Sequence, residues 1–336
     1  MDKQFTIGVL GAGAWGTALA IQLSRLHPQV QLWGRNAKQL QHCISVRENS
    51  RYLPGIELPE NIVANHDLAS LIGSCTHLVA AVPSIAMRDT LQTIQKNASP
   101  QLRGIIWATK GLEQGTGKFL HQVAEEELAE SIQCAILSGP SFAQEVAQGL
   151  PTAVTIASFD IHYAEEVASL FHHPVFRTYT SVDVCGVEIG GTFKNILAIA
   201  SGIIDGLHFG ANARAALITR GVAEMTRFGF SLDINPQTLV GLSGLGDIVL
   251  SCTENLSRNR RLGLGLGAGK DLVVLEKEIG QILEGKYAAK VIHEVANNMH
   301  IELPISEQVY QVIYAGKSAR DAVEELLARA SKTEVD

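Results

Sequence analysis

The strongest constraint on this chain lies near its start. The run Phe5–Leu10 is apolar and rich in β-branched residues, and it leads directly into Gly11-Ala12-Gly13-Ala14-Trp15-Gly16. A helical pattern follows from Trp15 to Leu26, closed by Pro28, and then a second strand-like run, Val30–Trp33. A G-x-G-x-x-G spacing alone is common, but between a strand and a helix it has a mechanism. The first glycine takes the tight turn, the second clears the backbone for a pyrophosphate, and the third lets helix and strand pack closely. The helix start offers unpaired N–H groups and a positive dipole end to the phosphates. This context favours a dinucleotide site over a plain flexible turn.

The same alternation continues. Strand-like runs recur at Asn61–Ala64, His77–Val82, Gly104–Ala108, Gln133–Leu137, Ala153–Ile156 and Val175–Tyr179, separated by helix-like segments. Such a pattern predicts βαβ units on a mostly parallel sheet. Leu78–Val82 is nearly continuous in its apolar character, as expected of a strand covered on both faces. After about Glu188 strand signals fade. Ile218, Val222, Met225 and Phe228 follow helical spacing, with Arg220, Glu224 and Arg227 on the other side. Ser318 and Asp321 read as a capping box for a last helix through Leu326 and Leu327. The expected fold is α/β: a Rossmann-type doubly wound sheet over 1–188, then a mainly α-helical domain over 189–336.

Composition narrows the function classes. With 336 residues, 46% of them hydrophobic and 18% charged, the chain can bury two cores. A formal net charge of -7 argues against nucleic acid, whose phosphate backbone needs a basic surface. The five cysteines, Cys43, Cys75, Cys134, Cys185 and Cys252, contain no C-x-x-C pair, which predicts reduced thiols, no zinc framework and a cytoplasmic setting. His172 and His173 read as a loop pair before Pro174 rather than metal ligands. No apolar run reaches the length of a membrane span, and the N-terminal apolar stretch reads as a strand rather than a signal peptide.

The end of the second strand bears on the cofactor. Selectivity for NAD usually rests on an acidic residue there that binds the ribose 2′-hydroxyl. Here Trp33 is followed by Gly34-Arg35-Asn36. Arg35 can meet a 2′-phosphate by charge and stack on adenine, which favours NADP(H) and leaves NAD(H) open. A solvated surface arginine is the bland alternative. A second glycine-rich run, Gly263–Gly269, has no strand before it and reads as a loop.

In the second half, Glu188–Leu207 is apolar almost all round, the mark of a buried helix. Lys194, Ser201 and Asp205 form one narrow polar stripe on it. Either the stripe is a solvent edge with Lys194 reaching out, or Lys194 faces a cavity or partner. Three further clusters bear on that choice. Lys110-Gly111 and Ser138-Gly139-Pro140-Ser141-Phe142-Ala143 each follow a strand, at the edge where open α/β sheets bind ligands. Ser257-Arg258-Asn259-Arg260-Arg261 gathers cations in an acidic chain, where arginine's planar fork suits phosphate. A solvated basic turn is the alternative for that run.

Together these residues resemble the NAD(P)-dependent glycerol-3-phosphate dehydrogenases of bacterial type. The resemblance runs almost end to end. It rests on Gly11–Thr17, Ala81-Val82-Pro83-Ser84, Ala108–Leu112, Ser138–Ala143, Gly190-Gly191-Thr192-Phe193-Lys194-Asn195, Leu242–Asp247 and Ser257–Arg260. It implies reduction of dihydroxyacetone phosphate to sn-glycerol 3-phosphate for phospholipid synthesis, in a cytoplasmic homodimer. It implies that Lys194 is the general acid/base, with Lys110, Asp247 and Asn195 beside it in the catalytic set. Lys110, Gly139, Ser141, Asp247, Ser257, Arg258 and Asn259 match substrate positions. Gly11, Gly13, Ala14, Trp15, Gly16, Arg35, Lys110, Ala143, Arg258, Ile282 and Glu284 match cofactor positions. No metal is implied, because a lysine can serve as the electrophile. Two alternatives stay open: another two-domain reductase of the β-hydroxyacid or ketopantoate type, and a non-catalytic nucleotide sensor.

Overall fold

The computed structural model describes residues 5–232 and 234–330, so the outermost residues of both expected domains lie outside the described residues. The chain divides into two compact units, Met1–Glu188 and Ile189–Asp336.

The first unit carries strands β1 (Ile7–Leu10), β2 (Val30–Trp33), β3 (Ile62–Ala64), β4 (His77–Ala80), β5 (Gly104–Trp107), β6 (Gln133–Ser138), β7 (Thr152–Ala157) and β8 (Phe176–Ser181). They lie side by side in the order β3-β2-β1-β4-β5-β6-β7-β8. Every pairing is parallel except β6 with β7. All eight strand-like runs of the sequence form strands. The connecting helices are α1 (Ala14–Ser24), α2 (Ala37–Val46), α3 (Leu68–Ser74), α4 (Met87–Asn97), α5 (Leu120–Glu127), α6 (Ala143–Gln148) and α7 (Ile161–Phe171).

Both sheet faces are covered, which removes the usual in/out alternation from the central strands. Ile7 and Val9 of β1 belong to a core with Leu19 and Leu23 of α1 and Val167 and Phe171 of α7. Leu10 belongs to the opposite core with Leu71, Leu91, Ile105 and Val123. His172 caps the end of α7 and His173 makes an isolated bridge with Phe176, so the pair sits in a turn as expected.

A buried histidine sits at the start of β4. His77 is 0% exposed, with Nε2 3.1 Å from Glu166 and Nδ1 3.1 Å from Thr76 Oγ1. The ring of Tyr163 stacks on it. Burial holds its pKa down to about 4, although Glu166 acts the other way.

Beyond residue 188 the structure is helical: α8 (Val184–Gly206), α9 (Gly210–Phe230), α10 (Pro236–Leu239), α11 (Asp247–Thr253), α12 (Arg258–Gly267), α13 (Leu272–Ile279), α14 (Glu284–Met299), α15 (Pro304–Tyr314) and α16 (Ala319–Leu327). Ser318 caps α16 by accepting from the Asp321 N–H. Contrary to the expectation that no apolar run reaches membrane length, α8 is long and apolar enough to cross a bilayer. Its apolar stretch is 94% buried inside the protein, which makes it a core helix.

Two other expectations need correction, and one choice left open by the sequence is decided. Gly263–Gly269 is not a loop: α12 is helical through Gly267, and its glycines permit close packing on α8. A Cβ on Gly202 would lie 2.2 Å from the Arg260 carbonyl oxygen, and one on Gly263 would lie 2.0 Å from that of Ile199. Gly206 and Gly267 are confined in the same way by Leu264 and Ile203. The stripe Lys194, Ser201, Asp205 is not a solvent edge. Ser201 is 0% exposed and donates to the Cys252 carbonyl at 2.5 Å, and Asp205 binds Arg214 and Arg260 at 2.7 Å each. Glu224 is not on a solvent face of α9 either. It is buried and accepts from Ile305 N, Ser306 N and Ser306 Oγ, which supplies α15 with the cap that Pro304 and its neighbours lack. The buried stripe of α9 runs through Leu217, Gly221, Met225 and Phe228.

Gly263→Val should therefore lower the unfolding free energy by about 3 kcal/mol or more, because backbone must move. Gly269→Ala, at a positive φ of 78° with open space around it, should cost about 1 kcal/mol. Urea titration of both variants checks this. His77 sets a second expectation. Its folded pKa lies below the unfolded value of about 6.5, so the unfolded chain binds more protons between about pH 6.5 and about pH 4. Its contribution is present above that window and is lost as pH falls through it. His77→Gln should show a shallower loss of stability over the window than the parent; an equal or steeper loss contradicts the assignment.

Candidate active site

In the first unit the expected residues gather at the carboxyl edge of the sheet. The strand order reverses at β1 and β4, which opens a crevice beyond their ends. Gly11 stands there with φ 117°, and a Cβ on it would lie 2.6 Å from the Ala81 carbonyl oxygen. A Cβ on Gly16 would lie 1.8 Å from the Gly11 carbonyl oxygen. Gly13 differs: a Cβ there would meet nothing within 4 Å, so its surroundings are open to a ligand. Gly13 is also the N-cap of α1 and makes no side-chain cap, so the first N–H groups of the helix are left without one. The backbone therefore fits a dinucleotide pyrophosphate.

Arg35 is exposed just past the end of β2, and Asn36 next to it caps α2. Beyond β5, Lys110 Nζ donates to the Gly139 carbonyl at 3.3 Å. Gly139, beyond β6, has φ 140° and a close neighbour in Val154, so only glycine suits that turn. Ser141 Oγ donates to the same carbonyl at 2.9 Å. Ala143 opens α6. The edge thus carries Gly11–Gly16, Arg35, Lys110, Gly139, Ser141 and Ala143.

In the second unit, two neighbouring polar clusters grow from α8. Lys194 Nζ donates to Asp247 Oδ1 at 3.1 Å and to Ser251 Oγ at 3.2 Å, and Ser251 Oγ lies 3.3 Å from the same carboxylate oxygen. The Asp247 side chain is 1% exposed and that of Lys194 17%. Asp247 opens α11 after a π-helical turn over Leu242–Gly246. That turn is tight because a Cβ on Gly190 would strike the Ser243 carbonyl and one on Gly244 the Leu239 carbonyl. Ser251 lies outside the sequence motifs. Its signal was present, since a residue four past Asp247 shares its helix face.

Asn195, one residue on, points elsewhere. Its side-chain Oδ1 accepts from Asn259 Nδ2 at 2.9 Å, its Nδ2 donates to Gly191 O, and Asn259 Oδ1 accepts from Gly285 N at 3.2 Å. Asn195 thus holds Asn259 rather than Lys194. Ser257 caps α12, and Asn259 and Arg260 are buried, so this run is a helix start and not a solvated basic turn. Arg258 Nη1 donates to Gln281 at 3.0 Å. Burial pulls its pKa below the usual value, while Glu284 at the start of α14 acts the other way. Ile282 lies exposed between these partners in sequence. Gln281 had no motif to mark it.

Both units match known families. Residues 6–164 match the NAD-dependent glycerol-3-phosphate dehydrogenase N-terminus and residues 183–324 the C-terminus. The chain belongs to the NAD-dependent glycerol-3-phosphate dehydrogenase family. It is 49% identical to a glycerol-3-phosphate dehydrogenase [NAD(P)+] of Thioalkalivibrio sulfidiphilus over 99% of both chains. It is 46% identical to the Bartonella tribocorum protein of that name, over 99% of this chain and 100% of the relative. The crystal structure of glycerol-3-phosphate dehydrogenase from Coxiella burnetii superposes with a TM-score of 0.93 at 42% identity, covering 97% of this chain and 99% of that one. Membership in this dehydrogenase family decides against the ketopantoate-type reductases raised by the fold alone.

The Lys194–Asp247 contact is a buried ion pair, so removing one partner should cost more than removing both. Lys194→Ala should destabilise the protein by about 2–4 kcal/mol, and adding Asp247→Asn should return part of that loss. A double-mutant cycle in urea measures the coupling; additive losses would mean that the contact carries no net energy.

Proposed function

We propose that this chain interconverts dihydroxyacetone phosphate and sn-glycerol 3-phosphate, with Lys194 as the general acid/base. The observation that carries the reading is the lysine's setting. It rises from a buried helix, is held by Asp247 and Ser251, and keeps a small exposed fraction. An ammonium has three N–H donors, and two are spent on these partners. The third is available to a substrate oxygen.

A nicotinamide cofactor held at Gly11–Gly16 would supply or accept the hydride at C2. During reduction, negative charge grows on the C2 oxygen, and Lys194 donates a hydrogen bond and then its proton to that oxygen. In the other direction the neutral amine takes the hydroxyl proton. Asp247 and Ser251 fix where Nζ stands. Arg258 and Asn259, at the start of α12, suit the substrate phosphate, where the helix N-terminus adds its dipole. Asn195 sets the Asn259 amide. Lys110, Gly139 and Ser141 are the first unit's substrate-contact candidates. Gly11–Gly16, Arg35 and Ala143 are its cofactor-contact candidates, and Ile282 and Glu284 those of the second unit beside Arg258.

Arg35 at the end of β2, with no acidic residue in its place, supports preference for NADP(H) over NAD(H). The reading places the enzyme in the cytoplasm as a homodimer whose product feeds phospholipid synthesis. The test follows cofactor oxidation on adding dihydroxyacetone phosphate, with NADPH and NADH in parallel. Parent protein should oxidise NADPH faster. Lys194→Ala should lose about 10²–10⁴-fold in kcat, and Arg35→Ala should narrow the ratio between cofactors. A folded parent that binds NADPH yet oxidises neither cofactor sinks the substrate assignment.

A further inference from the structure

A second group of ionisable side chains lies where α8 begins, and the proposed reaction does not use it. Cys185 Sγ is 3.7 Å from His121 Nε2. On the other side of the ring, His121 Nδ1 is 2.5 Å from Glu188 Oε2, and the His121 backbone N–H donates to Glu188 Oε1 at 3.1 Å. Glu188 is 2% exposed and His121 8%, while Cys185 is half-buried. Cys185 and Glu188 stand three apart on one helix and His121 comes from α5, so thiol, imidazole and carboxylate form one line.

The order matters chemically. A carboxylate held at Nδ1 fixes the proton there and orients Nε2 toward the sulfur, where it can take the thiol proton. Phe119 stacks on the imidazole and Phe159 meets it edge-on, each with ring centres 5.5 Å away. Those rings limit water and strengthen the charge pair. Burial acts to lower the imidazole's pKa, but its hydrogen bonds to Cys185 and Glu188, both from α8, outweigh it and push His121 up to about 10. Asp183, just before α8, is engaged by the Gly186 N–H at 2.9 Å. Cys185 also lies in the first turn of a 23-residue helix, where the dipole favours an anion.

Burial pushes Cys75 up to about 11 and Cys134 and Cys252 up to about 12. Cys43 is buried, and burial raises it too. Among the described residues Cys185 is the cysteine that has a histidine as hydrogen-bond partner.

We propose that Cys185 is a thiol-modification site, with His121 as its base, Glu188 as the positioning residue for His121, and hydrogen peroxide as the co-reactant. The thiolate sulfur attacks one peroxide oxygen, the S–O bond forms as the O–O bond breaks, and sulfur gives up two electrons. The leaving hydroxide takes a proton from the His121 imidazolium and departs as water, leaving Cys185 as a sulfenic acid.

The experiment uses the full chain. Its five cysteines compete for substoichiometric hydrogen peroxide, with the sulfenic acid trapped by dimedone, and in parallel for substoichiometric iodoacetamide; peptide mass spectrometry reads each site. Cys185 should take either label at least about ten-fold faster than any other cysteine. His121→Gln should erase that lead. Glu188→Gln, which keeps a hydrogen bond but removes the charge, should move the pH dependence of alkylation upward. Labelling of Cys185 no faster than Cys134 in the parent overturns the proposal, and this arm needs no variant to fold. A folded His121→Gln protein that labels at the parent rate overturns it as well.

Discussion

The close approach of α8 and α12 is the constraint on which the second unit's chemistry depends. Gly202 and Gly206 on one helix and Gly263 and Gly267 on the other leave no room for a Cβ, so the backbones meet directly. At that spacing Asn195 reaches Asn259, and Arg260 reaches Asp205. The start of α12, with Arg258 and its cap Ser257, is thereby held to the helix that carries Lys194. A wider spacing would leave Asn195 and Asn259, both buried, without each other, at a cost of about 1–3 kcal/mol for each unsatisfied group.

The same helix shows how a polar stripe survives inside a core. Lys194, Ser201 and Asp205 each have a defined partner, on α11, α11 and α12 respectively, and Asn195, beside the stripe, has one on α12. An unpaired charge or amide there would be strongly unfavourable. Pairing turns the stripe into a set of tethers that place a proton carrier and its anchors to within hydrogen-bond tolerance. At the N-terminal end of α8, His121, Glu188 and Cys185 repeat the logic on the first unit's side of the chain, with a thiol in place of the ammonium.

The first unit was legible because its signals are local. A strand buried on both faces is written as a continuous apolar run, and the glycines of Gly11–Gly16 stand where a turn and a helix contact forbid a side chain. All eight strands and the carboxyl-edge residues follow from such patterns. The second unit was less legible. Gly263–Gly269 reads as a loop because glycine is a poor helix former, and only a neighbouring helix at contact distance makes it a packing surface. Glu224 reads as solvent-facing because periodicity cannot see the helix start that it caps. Ser251 and Gln281 are ordinary in sequence and acquire meaning only through what they hold.

Local sequence dictates the order of strands and helices, the dinucleotide turn, the change to a helical half, and the residue types available for acid–base chemistry and phosphate binding. These depend on steric preference and hydrophobic periodicity, which act over a few residues. Tertiary structure alone decided that Lys194 is tethered rather than solvated, that Asn195 serves Asn259, that the cation run begins a buried helix, and that His121 lies between a thiol and a carboxylate. Each of those outcomes joins residues dozens of positions apart, and such a pairing exists only once the chain's backbone brings two elements to within a hydrogen bond.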